Sequence, residues 1–137
     1  MELTKITVEA MVKADKNKTW ACYTQPEHIT KWNFADPSWH CPDATNDMKV
    51  GGVYHARMEA RDGSFGFNFD AVYTAIAEGK SFTYEFGGRT ASVSFDEHNG
   101  ETKVTIVFDP ETQNPPERQQ QGWQAILNNF KQYTESN

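Results

Sequence analysis

One stretch of this sequence constrains the rest. From Asn114 to Thr134 the chain reads NPPERQQQGWQAILNNFKQYT, with apolar residues at Trp123, Ile126, Leu127, Phe130 and Tyr133. The spacing i, i+3, i+4, i+7, i+10 lays them along one face of an α-helix. Gln120, Gln121, Gln124, Asn128 and Gln132 fall mostly on the other side. Asn114 is placed to act as N-cap, with Glu117 three residues on to answer it in a loose capping box. Pro115 or Pro116 suits the first turn, where an N–H has no helical partner, and Lys131 sits near the C-terminal end of the dipole. About 20 residues make a rod of about 30 Å, the width of a small domain. A helix alone cannot bury such a stripe, so the rest of the chain must supply a sheet to receive it.

Composition narrows the functional classes. The net charge is −6 over 137 residues, and the isoelectric point is about 5.1. No Lys/Arg cluster accompanies that balance, which argues against a nucleic-acid partner. Cys22 and Cys41 are too few for a disulfide framework and fit no zinc spacing, so they read as free thiols in a reducing compartment. The N-terminal MELTKITVEAMVKAD alternates where a signal peptide would run apolar. No apolar run reaches the ~18 residues of a membrane helix. A cytoplasmic protein with no membrane span is the expectation, and the length fits a single domain over 1–137. Leucine occurs only at Leu3 and Leu127, yet 13% of the residues are aromatic. The core must be built mainly from rings, which are stiff enough to line a space without filling it.

The upstream chain reads mostly as strand. Ile6, Val8, Ala10 and Val12 alternate with polar residues. Asp15 is placed to cap a helix from about Lys16 to Thr24, and Pro26 starts a second short helix ending near Trp32. An irregular strand from about Trp39 to Thr45 carries Pro42, which cannot donate to a ladder, so it is expected at an edge or with a bulge. From Val53 to Phe108 apolar and polar residues alternate through Tyr54–Met58, Phe65–Tyr73, Phe82–Phe86, Ala91–Phe95 and Val104–Phe108. Turn signals at Asp62-Gly63, Glu78-Gly79, Gly87-Gly88 and Asn99-Gly100 separate them. That is an antiparallel meander with one wet face and one face to be covered, and the last helix is the cover.

In this order the residues Trp20, Pro26-Glu27-His28, Trp32, Val50-Gly51-Gly52-Val53-Tyr54, Asp62-Gly63 and Gly122-Trp123 with Leu127 resemble a known pattern. It is that of the START-like, or SRPBCC, helix-grip superfamily, and most closely the family homologous to the C-terminal domain of the activator of the heat-shock protein 90 ATPase. The resemblance spans essentially the whole chain. It implies an α+β helix-grip fold: a curved antiparallel sheet of about six or seven strands around a long C-terminal helix, with two short helices after the first strand. It also implies a deep apolar cavity between sheet and helix. Members of the superfamily bind lipids and small molecules, cyclise aromatic polyketides or stimulate a chaperone. No single catalytic motif runs through them, so the resemblance carries over no catalytic residue. The chaperone activator has a further N-terminal domain outside these 137 residues, from which weak or no chaperone stimulation is expected.

Chemistry-bearing residues are few. His98 falls in a turn and His28 in a short helix, both expected exposed. His40-Cys41 offers two metal ligands with no other half, so no metal and no cofactor is expected. His55-x-Arg57-x-Glu59, opposite Asn68 and Asp70, is the best acid–base set. It shares the polar phase, so if Tyr54, Ala56 and Met58 point inward it lies on the wet face. Gly122, in mid-helix, is explained either by close helix–sheet packing or by room for a ligand beside Trp123. The leading expectation is a non-enzymatic binding protein for a small apolar or aromatic molecule. The expected cavity lining is Trp20, Trp32, Tyr54, Met58, Phe67, Phe69, Tyr84, Trp123, Ile126 and Phe130. The alternatives are a chaperone-associated protein-interaction module and a cyclase-like enzyme using polar cavity residues.

Overall fold

The computed structural model describes residues 4–137. Strand β1 (Ile6–Val12) leads into helices α1 (Lys16–Thr24) and α2 (Pro26–Trp32). Six strands follow: β2 (Trp39–Asn46), β3 (Val53–Ala60), β4 (Gly66–Ala77), β5 (Ser81–Phe86), β6 (Arg89–His98) and β7 (Glu101–Phe108). Helix α3 (Pro116–Ser136) ends the chain. The strands form one seven-stranded antiparallel sheet in the order β1-β7-β6-β5-β4-β3-β2. The chain thus runs as a meander from β2 to β7, and β1 closes on β7. This is the helix-grip arrangement expected above.

The alternation in the sequence decides which face of the sheet is dry. Tyr54, Ala56 and Met58 of β3, Phe82 and Tyr84 of β5, Ala91, Val93 and Phe95 of β6, and Val104, Ile106 and Phe108 of β7 are all buried. The Asp15 side chain accepts from the Lys18 N–H at 2.8 Å and starts α1 as expected. Strand β2 combines both expectations for Pro42: it is an outer strand, and its register slips between His40 and Asp43.

Two details of β4 depart from simple alternation. Between Tyr73 and Ala75 the register with β5 breaks, so Thr74 is an extra residue and the inward phase passes from Tyr73 to Ile76. Before the strand begins, Phe65 is 65% exposed, and Phe67 within it is still 45% exposed, so the start of the phenylalanine series is not core.

The stripe of α3 seats as its spacing requires. Phe130 is fully buried, its ring centroid 4.9 Å from Tyr23 and 5.0 Å from Trp32. Trp123 stacks on Phe108 at 3.9 Å with 10° between the planes. The capping box is not formed. Pro115 holds the cap position with no side-chain hydrogen bond: preceding Pro116, it is kept in extended backbone and cannot be the first helical residue, which leaves Asn114 one residue too early to cap. Gln119 organises this end instead. Its side chain accepts from Glu111 N–H at 2.8 Å and donates to the carbonyls of Glu111 and Asn114 at 3.0 and 2.7 Å.

Gln120 and Gln124, on the polar side of the stripe, are not simply solvated. Their Nε2 groups donate to the carbonyls of Thr7 and Glu9, at 3.2 and 3.0 Å. Those carbonyls lie on the free edge of β1, so the helix covers an edge that would otherwise offer itself to another strand. Asn129 ties the same helix to the end of α2 through Nδ2 bonds to the carbonyls of Trp32 and Phe34.

At Gly122 an added Cβ would meet no atom within 4 Å, so close helix–sheet packing does not account for the glycine. Two substitutions on α3 should therefore move stability in opposite directions under urea unfolding. Phe130→Ala is expected to cost about 3–5 kcal/mol, the range for emptying a fully buried aromatic site. Gly122→Ala is expected to add up to about 1 kcal/mol. An unchanged midpoint for Phe130→Ala, or destabilisation by Gly122→Ala, would contradict this packing.

Candidate functional site: a ring-lined cavity under α3

Helix α3 lies along β1 and against α1 and α2, and stands further from the far half of the sheet. A cavity of about 370 Å³ occupies that interval. Its floor is the dry face of the sheet: Tyr54 and Met58 of β3, Phe67 and Phe69 of β4, Tyr84 and Phe86 of β5, and Ile106 of β7. Its roof is Gln119, Trp123, Ile126 and Leu127 of α3, and Tyr23, Trp32 and Asn33 close the side at α1 and α2. Arg89, Glu111 and Asn114 complete the lining where β6 begins and the β7–α3 connection passes.

The rings account for the space. Phe69, Tyr54 and Tyr84 meet at centroid separations of 5.6–6.0 Å in tilted or edge-on pairs. Such pairs hold rigid planes apart. On the roof, Trp123 is spent on its stack with Phe108 and reaches Phe86 only at 6.1 Å.

Polar groups are sparse and specific. Asn33 Nδ2 donates to the Tyr54 hydroxyl at 3.3 Å. The hydroxyls of Tyr84 and Tyr23, whose residues are 4% and 6% exposed, take part in no hydrogen bond among the described residues. Burial raises the pKa of Tyr23, Tyr54 and Tyr84, and each neighbouring phenolate would oppose the next. All three are therefore neutral donors at ordinary pH. Arg89 donates from Nε to the Asp109 carbonyl at 3.1 Å, and its guanidinium lies 4.9 Å above the Phe86 ring. The Asp109 carboxylate is engaged elsewhere, by Lys5 and by the N–H and hydroxyl of Thr90. The Lys5 hydrogen bond is the main reason its pKa is lowered.

Of the residues expected to line a cavity, Trp32, Tyr54, Met58, Phe67, Phe69, Tyr84, Trp123 and Ile126 surround this one. Trp20 does not: it packs edge-on against Phe95 and Phe82, at 5.1 and 5.9 Å, on another side of the core. Phe130 lies one turn beyond, enclosed by Tyr23 and Trp32. Tyr23, Phe86 and Ile106 were legible as apolar but not as lining. Gln119 carried a usable signal, since it continues the α3 stripe four residues before Trp123. Arg89 and Glu111 carried none.

The other chemistry-bearing residues sit apart from the cavity. His55, Arg57 and Glu59 occupy the face of β3 opposite Tyr54, Ala56 and Met58. There His55 lies beside Asp70 and Asp43, and Arg57 bonds Glu59 at 2.9 Å. Cys41 is buried, its thiol pushed up to about 11 by desolvation. Among the described residues no group of three or more His, Cys, Asp or Glu side chains is arranged so that it could hold a metal ion. His98 is exposed as expected, whereas His28 is half-buried, its Nδ1 2.6 Å from the Tyr133 hydroxyl. No described helix is long and apolar enough to cross a membrane.

A curled antiparallel sheet gripping one long helix over a ring-lined cavity defines the helix-grip class. Within it, residues 13–135 match the family described as "Activator of Hsp90 ATPase homolog 1-like protein", and the chain belongs to that family. It is similar to the solution structure of an AHSA1-like protein from Aeromonas hydrophila, with 36% identity and a TM-score of 0.91 over 97% of this chain and 93% of that one. A protein from Cytophaga hutchinsonii is 46% identical, with a TM-score of 0.82 over the same shares. One from Chromobacterium violaceum, at 20% identity, has a TM-score of 0.85 over 98% of this chain and 99% of its own, and shares the fold. No curated protein gives a significant match to the sequence.

The buried phenols set an alkaline limit on the fold. A tyrosine whose pKa is raised above its unfolded value of about 10 contributes stability that is complete below that pH and lost as pH rises through the folded value. All of Tyr23, Tyr54, Tyr73, Tyr84 and Tyr133 are shifted upward, chiefly by burial. In a spectrophotometric titration, tyrosinate absorbance should therefore appear together with loss of near-UV circular dichroism. Tyrosines that all titrate near pH ~10 in the intact fold would contradict the cavity's low polarity.

Proposed function

We propose that this protein binds a small apolar or aromatic molecule in the cavity beneath α3, without catalysing its conversion. The observation that carries the reading is the cavity itself: about 370 Å³, walled by rings and a few convergent polar groups. That volume lies at the lower end of the ~300–1,000 Å³ of ligand pockets, and the lining follows their usual pattern. Its titratable groups are phenols held neutral, one guanidinium and Glu111, while the imidazole–carboxylate contacts of His55 lie across the sheet. That division supports binding over cyclase-type chemistry.

A thermal-shift screen of flavonoids, fatty acids and aromatic acids tests the reading. A ligand at a hundredfold excess over Kd adds about 2.7 kcal/mol, several degrees for a domain of this size. Hits should also perturb tryptophan emission through Trp123. Ile126→Trp places an indole in the cavity, so it should abolish the shifts while the unliganded chain still melts cooperatively. No hits, or hits unaffected by Ile126→Trp, would count against the cavity.

A second reading has its own support. Phe65 and Phe67 are 65% and 45% exposed, each with its ring centroid 6.0 Å from that of Trp39, and the family description names an activator of the Hsp90 ATPase. An aromatic patch of this kind suits a protein-interaction module. A saturable, several-fold rise in a chaperone's phosphate release on adding this chain would make that reading primary.

A further inference from the structure

We propose that the molecule held in the cavity is an aromatic carboxylic acid whose carboxylate pairs with Arg89 at the rim while its ring system lies among the side chains within. The proposal rests on the ligand-binding reading above and deepens it.

The chain carries 19 acidic side chains against 13 Lys and Arg. In such a molecule a half-buried guanidinium would ordinarily find a carboxylate. Yet no ion pair of the described residues includes Arg89. The side chain is nevertheless held in place. Its Nε is fixed on the Asp109 carbonyl, and its plane is supported by the Phe86 ring. That leaves the terminal Nη donors without a protein partner among the described residues. A planar guanidinium positioned by its Nε presents those donors as a fork that a carboxylate accepts in two parallel bonds.

The negative charge nearest in the lining is Glu111. Its Oε1 is turned back to accept the Asn114 N–H at 2.6 Å, and its backbone is fastened by Gln119, so it stays on the rim without reaching Arg89. It opposes an incoming anion and does not neutralise the guanidinium.

The interior fixes the rest of the ligand. Trp32, Phe69, Phe86 and Trp123 present flat faces or edges that suit rings. Tyr84, 4% exposed and lining the cavity, offers a neutral hydroxyl with no protein partner among the described residues. That hydroxyl is available to donate to an acceptor oxygen on the ligand's ring system. Charge at the rim, with rings and one hydroxyl donor within, describes a substituted aromatic acid better than a fatty acid or a neutral hydrocarbon.

The test uses three near-isosteric probes: naphthalene-2-acetic acid, its primary amide and its methyl ester. Each is titrated by calorimetry into the wild type, Arg89→Gln and Glu111→Gln, with melting curves confirming that the variants fold. The acid should bind the wild type about tenfold more tightly than the amide, the factor a charge-assisted hydrogen bond supplies. Arg89→Gln should erase that preference by weakening the acid alone, and Glu111→Gln should tighten the acid alone. Equal affinities in the wild type, or a preference that survives Arg89→Gln, would overturn the carboxylate assignment and leave the cavity reading standing. Should Arg89→Gln fail to fold, an unchanged acid affinity in Glu111→Gln would count against the assignment by itself. If the acid, the amide and the ester all fail to bind the wild type, both readings fall.

Discussion

The structure depends on the stack between Trp123 and Phe108. A centroid distance of 3.9 Å with nearly parallel planes places the middle of α3 at a set height over β7. Phe130, locked between Tyr23 and Trp32, fixes the helix about two turns further on. With these two seats on one side, the helix cannot also descend onto β3, β4 and β5. The interval left over is the cavity. A leucine-rich stripe would spread and fill such an interval; the rings that replace it bridge the same width with fixed shapes.

The polar residues of α3 serve the same placement. Gln120 and Gln124 hold the helix along the open edge of β1, Asn129 holds it to the end of α2, and Gln119 gathers the connection from β7. Each satisfies backbone groups that an edge strand or a chain turn leaves unpaired. The helix is thus fixed laterally by amide hydrogen bonds and vertically by aromatic contacts. The Arg89 rim lies where the β7–α3 connection passes the start of β6, so positioning of the helix and polarity of the mouth are linked through Asp109 and Glu111.

Much of this was legible in the sequence. The strands from β3 to β7 are half-buried, so alternation alone assigns Tyr54, Tyr84, Phe95 and Ile106 to the dry face and His55, Arg57 and Glu59 to the other. The spacing of Trp123, Leu127 and Phe130 identifies the helix face. The Asn114 cap was misassigned because two prolines shift the helix start by one residue. The bulge at Thr74 has no glycine or proline to announce it; it bends the strand and appears only in the pairing with β5. Arg89, Glu111 and Gln119 come from three separate elements, and register and curvature bring them to one rim. Local pattern cannot convey that. Trp20 illustrates the converse: an inward-facing ring belongs to the core, and only the tertiary arrangement decides whether it also borders a cavity.

The central claim is that the space between α3 and the dry face of the sheet receives a ligand. Intermolecular nuclear Overhauser effects from the methyl ester of naphthalene-2-acetic acid test it directly. The account requires contacts to the Trp123 indole, the Tyr84 ring and the Ile126 methyl groups together, since these come from roof and floor of one cavity. Contacts confined to the outer face at Val53 and Val72, to the exposed Phe65, or to no residue at all would contradict it.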